Sequence, residues 1–166
     1  MNRAKIFSII RVAGGTILTA LIVIAFGAPV LAWLDACVPF QLTRDFAWLG
    51  WAILLAAFAL IASAEFSFVR FGGATGVPGD APHALVARGV YCWVRNPLYI
   101  GGNAIVWSVA LIHGSAGVLI LALILAPVYH LFVVYIEEPR LQKRFGDAYR
   151  EYKKITPRWI PRLSRA

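Results

Sequence analysis

Residues 95–102 read Arg95-Asn96-Pro97-Leu98-Tyr99-Ile100-Gly101-Gly102, a polar, turn-forming stretch at the start of an apolar run. The first N–H groups of a helix have no partner within it. Proline is therefore well placed there, and we predict that a helix begins near Pro97. A second polar stretch, residues 137–161, begins where the following apolar runs end. If residues 98–136 form a helical hairpin, both polar stretches emerge on the same side and can close over one another.

The composition is typical of an integral membrane protein. Of the 166 residues, 60% are hydrophobic and only 14% are charged, and the mean hydropathy is +0.73. Soluble domains carry about 25% charged and about 45–50% apolar residues. The length fits one domain. We therefore predict an all-α, polytopic membrane protein with a single domain, residues 1–166.

Apolar runs indicate about four transmembrane helices, each of which needs about 20 residues. The runs cover about residues 12–33, 46–69, 98–112 and 118–136. A cleaved signal peptide is the alternative for the first run, which is longer than the usual ~7–15-residue signal core. The short segment between the last two runs suits the turn of a helical hairpin.

The net charge of +8 lies mainly at the N-terminus, in the middle connector and in the C-terminal tail. Basic residues on alternate connections are the positive-inside pattern. This pattern places both termini on the cytoplasmic side of a bacterial inner membrane or its equivalent, next to anionic lipid. Since topology accounts for the charge, we expect the bilayer as a partner and no nucleic acid.

Cysteine and histidine are too scattered for a disulfide or a metal site. Cys37 and Cys92 fall on opposite sides of the membrane in this topology, and the histidines are His83, His113 and His130. We therefore predict no metal. Within the spans, an acid or a histidine is costly to bury and is a functional candidate by default. Glu65 and His130 are such residues, and a structural role for each remains the alternative.

The polar residues that cluster lie at the inner ends of the last two spans: Arg95, Asn96, Tyr99, Glu137, Glu138, Arg140, Tyr149, Tyr152 and Arg158. Arginine suits a carboxylate or a phosphate, and glutamate suits ribose hydroxyls or a cation. Glycines at 101 and 102 let a ligand or a second helix approach the backbone. The set therefore suits a zwitterionic, ribose-containing ligand, or else a salt-bridge cluster that ties the tail to the inner face.

The tail begins with a helix whose apolar positions, Leu141, Phe145, Tyr149 and Tyr152, recur at spacings of four, four and three. Such spacing predicts an amphipathic helix. The other face is rich in lysine and arginine. The helix is therefore expected to lie on an anionic surface or to fold back over the helix ends.

Two motifs, within residues 89–102 and 137–161, resemble those of a known superfamily. They are Gly89-Val90-Tyr91-Cys92-Trp93-Val94-Arg95-Asn96-Pro97-Leu98-Tyr99-Ile100-Gly101, and Glu137-Glu138-Pro139-x-Leu141 followed by Phe145-Gly146-x-x-Tyr149-x-x-Tyr152 and Pro157-Arg158-Trp159-Ile160-Pro161. Both are similar to signatures of the isoprenylcysteine carboxyl methyltransferase and phospholipid N-methyltransferase superfamily. The likeness covers about residues 85–161.

The resemblance implies that S-adenosylmethionine binds on the cytoplasmic side, in a pocket that the C-terminal amphipathic helix caps. The acceptor is then a lipophilic or amphiphilic molecule, such as a prenylcysteine-like carboxylate or a phospholipid amine. Carried over by residue, cofactor binding falls to Arg95, Asn96, Pro97, Tyr99, Gly101, Gly102, Glu137, Glu138, Tyr149 and Tyr152. The candidate catalytic residues are Glu138 and Glu65, since an amine acceptor must lose a proton, and Arg158, which would close the pocket or hold the acceptor.

Two departures bear on the acceptor. Asn96 stands where prenylcysteine enzymes commonly have histidine, and Pro139 after the acid pair is closer to the phospholipid-methylating branch. The alternatives are an NADPH-dependent, sterol-reductase-like membrane enzyme and a non-enzymatic membrane scaffold. The sequence leaves open the acceptor atom and the oligomeric state.

Overall fold

The computed structural model describes residue 27 and residues 29–73 and 83–161. The predicted first span, 12–33, and its signal-peptide alternative lie almost wholly outside the described residues. What is described there is the end of a helix, residues 29–37, here called α1. The described part of the chain is helical apart from connections and one isolated bridge between Gln41 and Ser115.

The second helix, α2, spans Ala47–Ser67 and continues through a π-helical turn, Phe68–Gly72. A short 3-10 helix, Gly89–Cys92, then leads to α3, Pro97–His113. Both helices agree to within two residues with the predicted runs 46–69 and 98–112. Pro97 occupies the first turn of α3, the position that lacks an intrahelical partner for its nitrogen.

The fourth helix, α4, spans Ala116–Phe132, and Pro127 lies inside it. A π-helical turn, Val133–Glu137, joins it to α5, Glu138–Ile155. The predicted run 118–136 therefore corresponds to α4 and most of this turn. A π-turn holds one more residue than an α-helical turn. It thus rotates the polar helix that follows relative to the apolar one before it.

The hairpin turn between α3 and α4 packs against the connection that follows α1. Gly114 adopts the left-handed conformation with φ of 71°, and a Cβ there would lie 2.7 Å from the carbonyl oxygen of Leu42. The hydroxyl of buried Ser115 donates a 2.5 Å hydrogen bond to Asp35 and accepts one from the backbone N–H of Val118. Glycine and serine thus allow this end of the bundle to close tightly.

Helices α2 and α3 approach each other closely through glycine. A Cβ on Gly50 would lie 2.8 Å from Ile112, and one on Gly101 would lie 2.5 Å from Ile61. Small residues at a helix interface bring the backbones together, which is a common mode of packing between membrane helices. This contact fixes α3, and with it the polar stretch at its start.

Two helical stretches of the described chain, Ala47–Gly72 and Ala116–Ile155, are long and apolar enough to cross a membrane. Only 17% and 22% of the residues in their most apolar parts are buried. The core helix of a soluble protein would be mostly buried instead. Large apolar side chains such as Leu55, Phe58 and Leu123 face outward, and a bilayer covers such surfaces favourably.

Helix α5 presents one buried face, which includes Tyr149 and Tyr152, and a charged face on the other side. It is interrupted at Gly146, where φ is 55° and ψ is −125°. Only glycine adopts these angles readily. The stripe read from the sequence is present, but the helix that carries it is kinked.

Candidate functional site

The two polar stretches meet along the segment that follows α5. The backbone N–H of Arg95 donates to the carbonyl of Pro157 over 2.9 Å, and Nδ2 of Asn96 donates to the carbonyl of Arg158 over 3.2 Å. Thr156, at the end of α5, is fully buried. The start of α3 and the tail are therefore joined by backbone contacts, as the hairpin argument predicts.

Glu138 lies at the centre of this junction between two arginines. Nε and Nη2 of Arg158 donate to its two oxygens over 2.7 and 3.1 Å, and Nη1 of Arg95 lies 3.0 Å from Oε1. The side chains of Arg95 and Glu138 are 9% and 11% exposed, whereas that of Arg158 is 29% exposed. The carboxylate thus holds three segments together: the start of α3, the start of α5 and the tail.

Ionisation at this cluster follows from its contacts. Burial opposes the charge on Glu138, but the hydrogen bonds from Arg158 and the charge of Arg95 outweigh it and lower the pKa of Glu138. The bond to Glu138 in turn raises the pKa of Arg158. Glu138 therefore stays a carboxylate at neutral pH and is a weak proton acceptor.

Three tyrosines line the space beside this cluster. The hydroxyl of Tyr99 donates to Oε2 of Glu137 over 2.7 Å, and that of Tyr152 donates to the carbonyl of Tyr91 over 2.7 Å. Tyr149 is 2% exposed, and burial raises its pKa to about 12. All three therefore remain protonated and can act as hydrogen-bond donors or apolar walls.

A cavity of about 170 Å³ opens between these groups. It is here called the polar cavity. Its lining includes most of the residues predicted to bind a cofactor, together with apolar side chains from α2, the connector and α5: Phe68, Leu85, Val86, Tyr91, Arg95, Asn96, Pro97, Leu98, Tyr99, Glu137, Leu141, Phe145, Tyr149 and Tyr152. The Nε of Arg95 is buried and has no hydrogen-bond partner in the described part of the chain. A buried donor without a partner is costly, so this wall suits an anionic group such as a carboxylate.

A larger, apolar groove of about 520 Å³ lies on the other side of Tyr99. Helices α2, α3 and α4 and the tail form it, and its lining is Ile53, Tyr99, Ile100, Asn103, Ala104, Trp107, Ala126, Pro127, Tyr129, His130 and Trp159. Nε1 of Trp159 donates to Nδ1 of His130 over 3.0 Å, which ties the tail to α4. Tyr99 lines both spaces and separates them.

Some predicted site residues lie outside the polar cavity. Glu138 and Arg158 do not line it, although Glu138 contacts Arg95, which does. Gly101 packs closely against α2, whereas its neighbour Gly102 faces open space. Glu65 is half-buried on α2 and lines neither the polar cavity nor the groove. Burial is the largest cause that raises the pKa of Tyr91, and the charge of Glu65 is the second largest. The roles predicted for these residues therefore remain predictions.

Sequence reasoning missed the groove residues Asn103, Trp107, Tyr129 and Trp159. Asn103 carried a signal, because it is a polar residue inside an apolar run and lies four positions after Tyr99. Residues four apart share a helix face. Trp159 carried none beyond its motif, since its place in the groove depends on how the tail folds back.

The model of the family described as phospholipid methyltransferase matches residues 46–148, which is more than half of the chain. The chain belongs to the phospholipid methyltransferase family. The matched region contains α2, α3, α4 and the first part of α5, and so contains nearly every side chain that lines the polar cavity. Membership of this family, together with the exposed apolar helices, identifies the chain as an integral membrane protein.

Curated relatives differ in the acceptor that their names state. The methanethiol S-methyltransferase of Pseudomonas deceptionensis is 32% identical over 123 residues, 71% of this chain and 44% of that protein. The protein-S-isoprenylcysteine O-methyltransferase of Schizosaccharomyces pombe is 33% identical over 82 residues, 48% of this chain and 34% of that protein. A phosphatidylethanolamine N-methyltransferase of Aspergillus clavatus is 32% identical over 77 residues, 46% of this chain and 8% of that protein. The chain thus spans less than half the length of each.

Among solved structures, the fold is similar to that of a eukaryotic intramembrane Ras methyltransferase, the isoprenylcysteine carboxyl methyltransferase. The TM-score is 0.56 at 21% identity, and the match covers 97% of this chain and 54% of the other. At this identity the likeness shows a shared fold. It supports the all-helical prediction for the described part of the chain.

Proposed function

We propose that this chain is an S-adenosylmethionine-dependent methyltransferase that acts on a lipophilic or amphiphilic acceptor. The observation that carries the proposal is the pair of spaces that meet at Tyr99, a polar cavity with an unpartnered arginine donor and an apolar groove. A polar cofactor and an apolar acceptor need two such compartments in contact. Family membership supplies the reaction class.

The residues of the polar cavity fit the chemistry of S-adenosylmethionine. Arg95 offers its free Nε–H to the carboxylate of the amino-acid end, beside the first turn of α3, where backbone N–H groups also favour an anion. Glu137 offers carboxylate oxygens to the ribose hydroxyls or the ammonium group. Tyr149, Tyr152 and the apolar side chains supply walls for the adenine. Glu138 and Arg158 hold Arg95 in place.

The polar cavity is smaller than the 300–1,000 Å³ of a typical ligand pocket, at about 170 Å³. A nucleoside-sized ligand therefore requires the wall formed by α5 to move outward. Gly146, whose backbone angles interrupt α5, is the natural hinge. In this proposal α5 caps the cofactor on the cytoplasmic side, with four spans and both termini on that side.

The chain's own residues contribute to the reaction mainly by position. When bound, S-adenosylmethionine supplies an electrophilic methyl group on a sulfonium. Holding an acceptor atom in line with that methyl is worth about 7–11 kcal/mol of the barrier. The groove excludes water from the acceptor, and Tyr99 forms the boundary across which the two ligands meet. Water exclusion strengthens the electrostatic interactions at this point.

An amine acceptor must lose a proton before or during methylation. Glu138 is committed to two arginines and has a lowered pKa, so the geometry favours other groups for this role. Glu137 lines the polar cavity beside Tyr99, and His130 lines the groove. We infer that Glu138 and Arg158 are positioning residues and that Glu137 receives the proton. The Nδ1 of a neutral His130 already accepts from Trp159, so its Nε2 carries the ring proton.

Isothermal titration of the purified protein in lipid nanodiscs with S-adenosylmethionine tests this proposal. The protein should bind S-adenosylmethionine and its demethylated product saturably. Arg95→Gln should weaken both by about 10–100-fold, because a charge-assisted hydrogen bond contributes about 1.5–3 kcal/mol. Arg140→Gln, an exposed position on the same helix as Glu138, is the matched control and should bind normally. Absence of binding by the folded protein would favour a reductase or a scaffold instead.

A further inference from the structure

The side-chain amide of Asn103 is a polar group on the wall of the apolar groove. Its oxygen, Oδ1, is shielded from solvent and has no hydrogen-bond partner within the described part of the chain. Two other polar groups that line the groove are paired within the protein, since Tyr99 donates to Glu137 and Trp159 donates to His130. The oxygen of Asn103 is therefore a buried acceptor on the groove wall that lacks a donor in the described part of the chain.

An unpartnered buried oxygen is costly, and natural proteins leave few of them. Leucine has the same branched arrangement of heavy atoms and is an ordinary residue of an apolar span without that cost. The terminal torsion of an asparagine amide is broad, so a rotation about χ2 can exchange the positions of its oxygen and nitrogen and turn the oxygen toward the groove that the side chain lines. A ligand that brings a donor into the groove would then satisfy it.

The position of Asn103 along α3 says which part of a ligand it would touch. It lies four residues after Tyr99, which is about 6 Å farther along the helix axis and on the same face. Tyr99 marks the boundary with the polar cavity. A group that contacts Asn103 is thus about one helical turn away from the boundary at which methyl transfer is proposed.

We propose that Asn103 is a specificity-determining residue that selects acceptors carrying an N–H or O–H donor about one helical turn from the methylated atom. This inference rests on the proposed function, because it takes the ligand in the groove to be the methyl acceptor. Its test measures the binding of a probe and does not require methyl transfer. A ligand without the donor leaves Oδ1 buried and unpaired. A ligand with it gains a hydrogen bond in a site that excludes water. The expected preference is about tenfold in affinity.

The test compares two neutral probes that differ by the donor, N-dodecylacetamide and N-dodecyl-N-methylacetamide. Binding to the protein in lipid nanodiscs is followed by tryptophan fluorescence, because Trp107 and Trp159 line the groove. The wild-type protein should bind the first probe about tenfold more tightly. The pair 1-dodecanol and 1-methoxydodecane repeats the comparison with an O–H donor and shows whether amide and alcohol donors are both accepted.

Asn103→Leu and Asn103→Ala should both bring the ratio of the two affinities close to one, mainly because the N-methyl probe binds better. Two variants are used so that a folding defect in one does not decide the outcome. Gln142→Leu is the matched control, since it removes another buried, unpartnered amide oxygen that lies outside the groove. It should keep the wild-type ratio.

A ratio near one in the wild-type protein would overturn the assignment, and so would a ratio unchanged in both Asn103 variants. The latter result, with a loss of stability, would mean that the amide has a structural partner. Titration with S-adenosylmethionine on the same proteins separates this inference from the proposed function. Lost cofactor binding with an intact donor preference would refute the function alone, and the reverse would refute the role of Asn103 alone.

Discussion

Replacing Glu138 with alanine should destabilise the protein strongly, because its buried carboxylate is the shared counter-ion of two guanidinium groups. Arg158 is 29% exposed and can turn toward water, but Arg95 is 9% exposed and cannot. The variant therefore leaves a buried cation without its counter-ion. Breaking a buried pair in this way costs about 3–5 kcal/mol, most of it the desolvation of the remaining charge.

The free energy of unfolding is measured by titrating the protein with sodium dodecyl sulfate in mixed micelles. Glu151→Ala is the matched control, since that carboxylate also pairs with a cation, Lys154 at 2.7 Å, but both side chains are more than two-thirds exposed. Exposed pairs contribute less than about 1 kcal/mol. Adding Arg95→Leu to Glu138→Ala should recover part of the loss, because no buried unpaired charge remains and Arg158 can turn toward water. Equal losses in the Glu138 and Glu151 variants would show that the burial of Arg95 does not set the cost of losing its counter-ion.

Three further predictions concern the same end of the bundle. Gly101→Ala should cost about 1–3 kcal/mol of unfolding free energy, because its Cβ would lie 2.5 Å from an α2 side chain. Gly102→Ala, with open space, should be neutral or stabilising in the same titration. Tyr99→Phe removes the hydrogen bond to Glu137 and should weaken S-adenosylmethionine binding about tenfold by calorimetry, without loss of fold. Because the pKa of Glu138 is lowered from 4.5, the stability that its carboxylate contributes is fully present above pH 4.5. This stability is lost as the pH falls through the lowered pKa. Glu138→Ala should therefore flatten the decline of the unfolding free energy at acid pH in the same titration.

The junction of the two polar stretches could be predicted because it follows from connectivity. Two apolar runs joined by a short turn must return the chain to its starting side, so Arg95 and Glu138 were predicted to emerge on the same side. The stripe that includes Tyr149 and Tyr152 likewise follows from helical spacing. Local pattern and topology agreed at these positions, and the structure places the residues together.

The different contacts of adjacent residues could not be predicted in the same way. Adjacent glycines at 101 and 102 point in different directions on a helix, and only the packing of α2 decides which one it contacts. Glu137 and Glu138 are also adjacent. One bonds Tyr99 at the polar cavity, and the other binds two arginines behind it. The rotation of α5 after the π-turn decides which glutamate faces the polar cavity. No residue type in Val133–Glu137 predicts that turn.

The groove was missed because it is assembled from four separate segments. Ile53, Trp107, Tyr129 and Trp159 lie on α2, α3, α4 and the tail, and each alone is an ordinary apolar or interfacial residue. Asn103 differs from them, because a polar side chain in an apolar run is costly to bury and is a functional candidate by default.

Methyl transfer to a lipophilic acceptor is tested most simply by following tritium from methyl-labelled S-adenosylmethionine into lipid-soluble material. Membranes containing the wild-type protein are incubated with the label and extracted into organic solvent. We expect label in the organic phase with the wild-type protein and with Arg140→Gln, and its loss with Arg95→Gln. Label that stays in the aqueous phase with the folded wild-type protein, or that enters the organic phase equally with Arg95→Gln, would contradict this expectation.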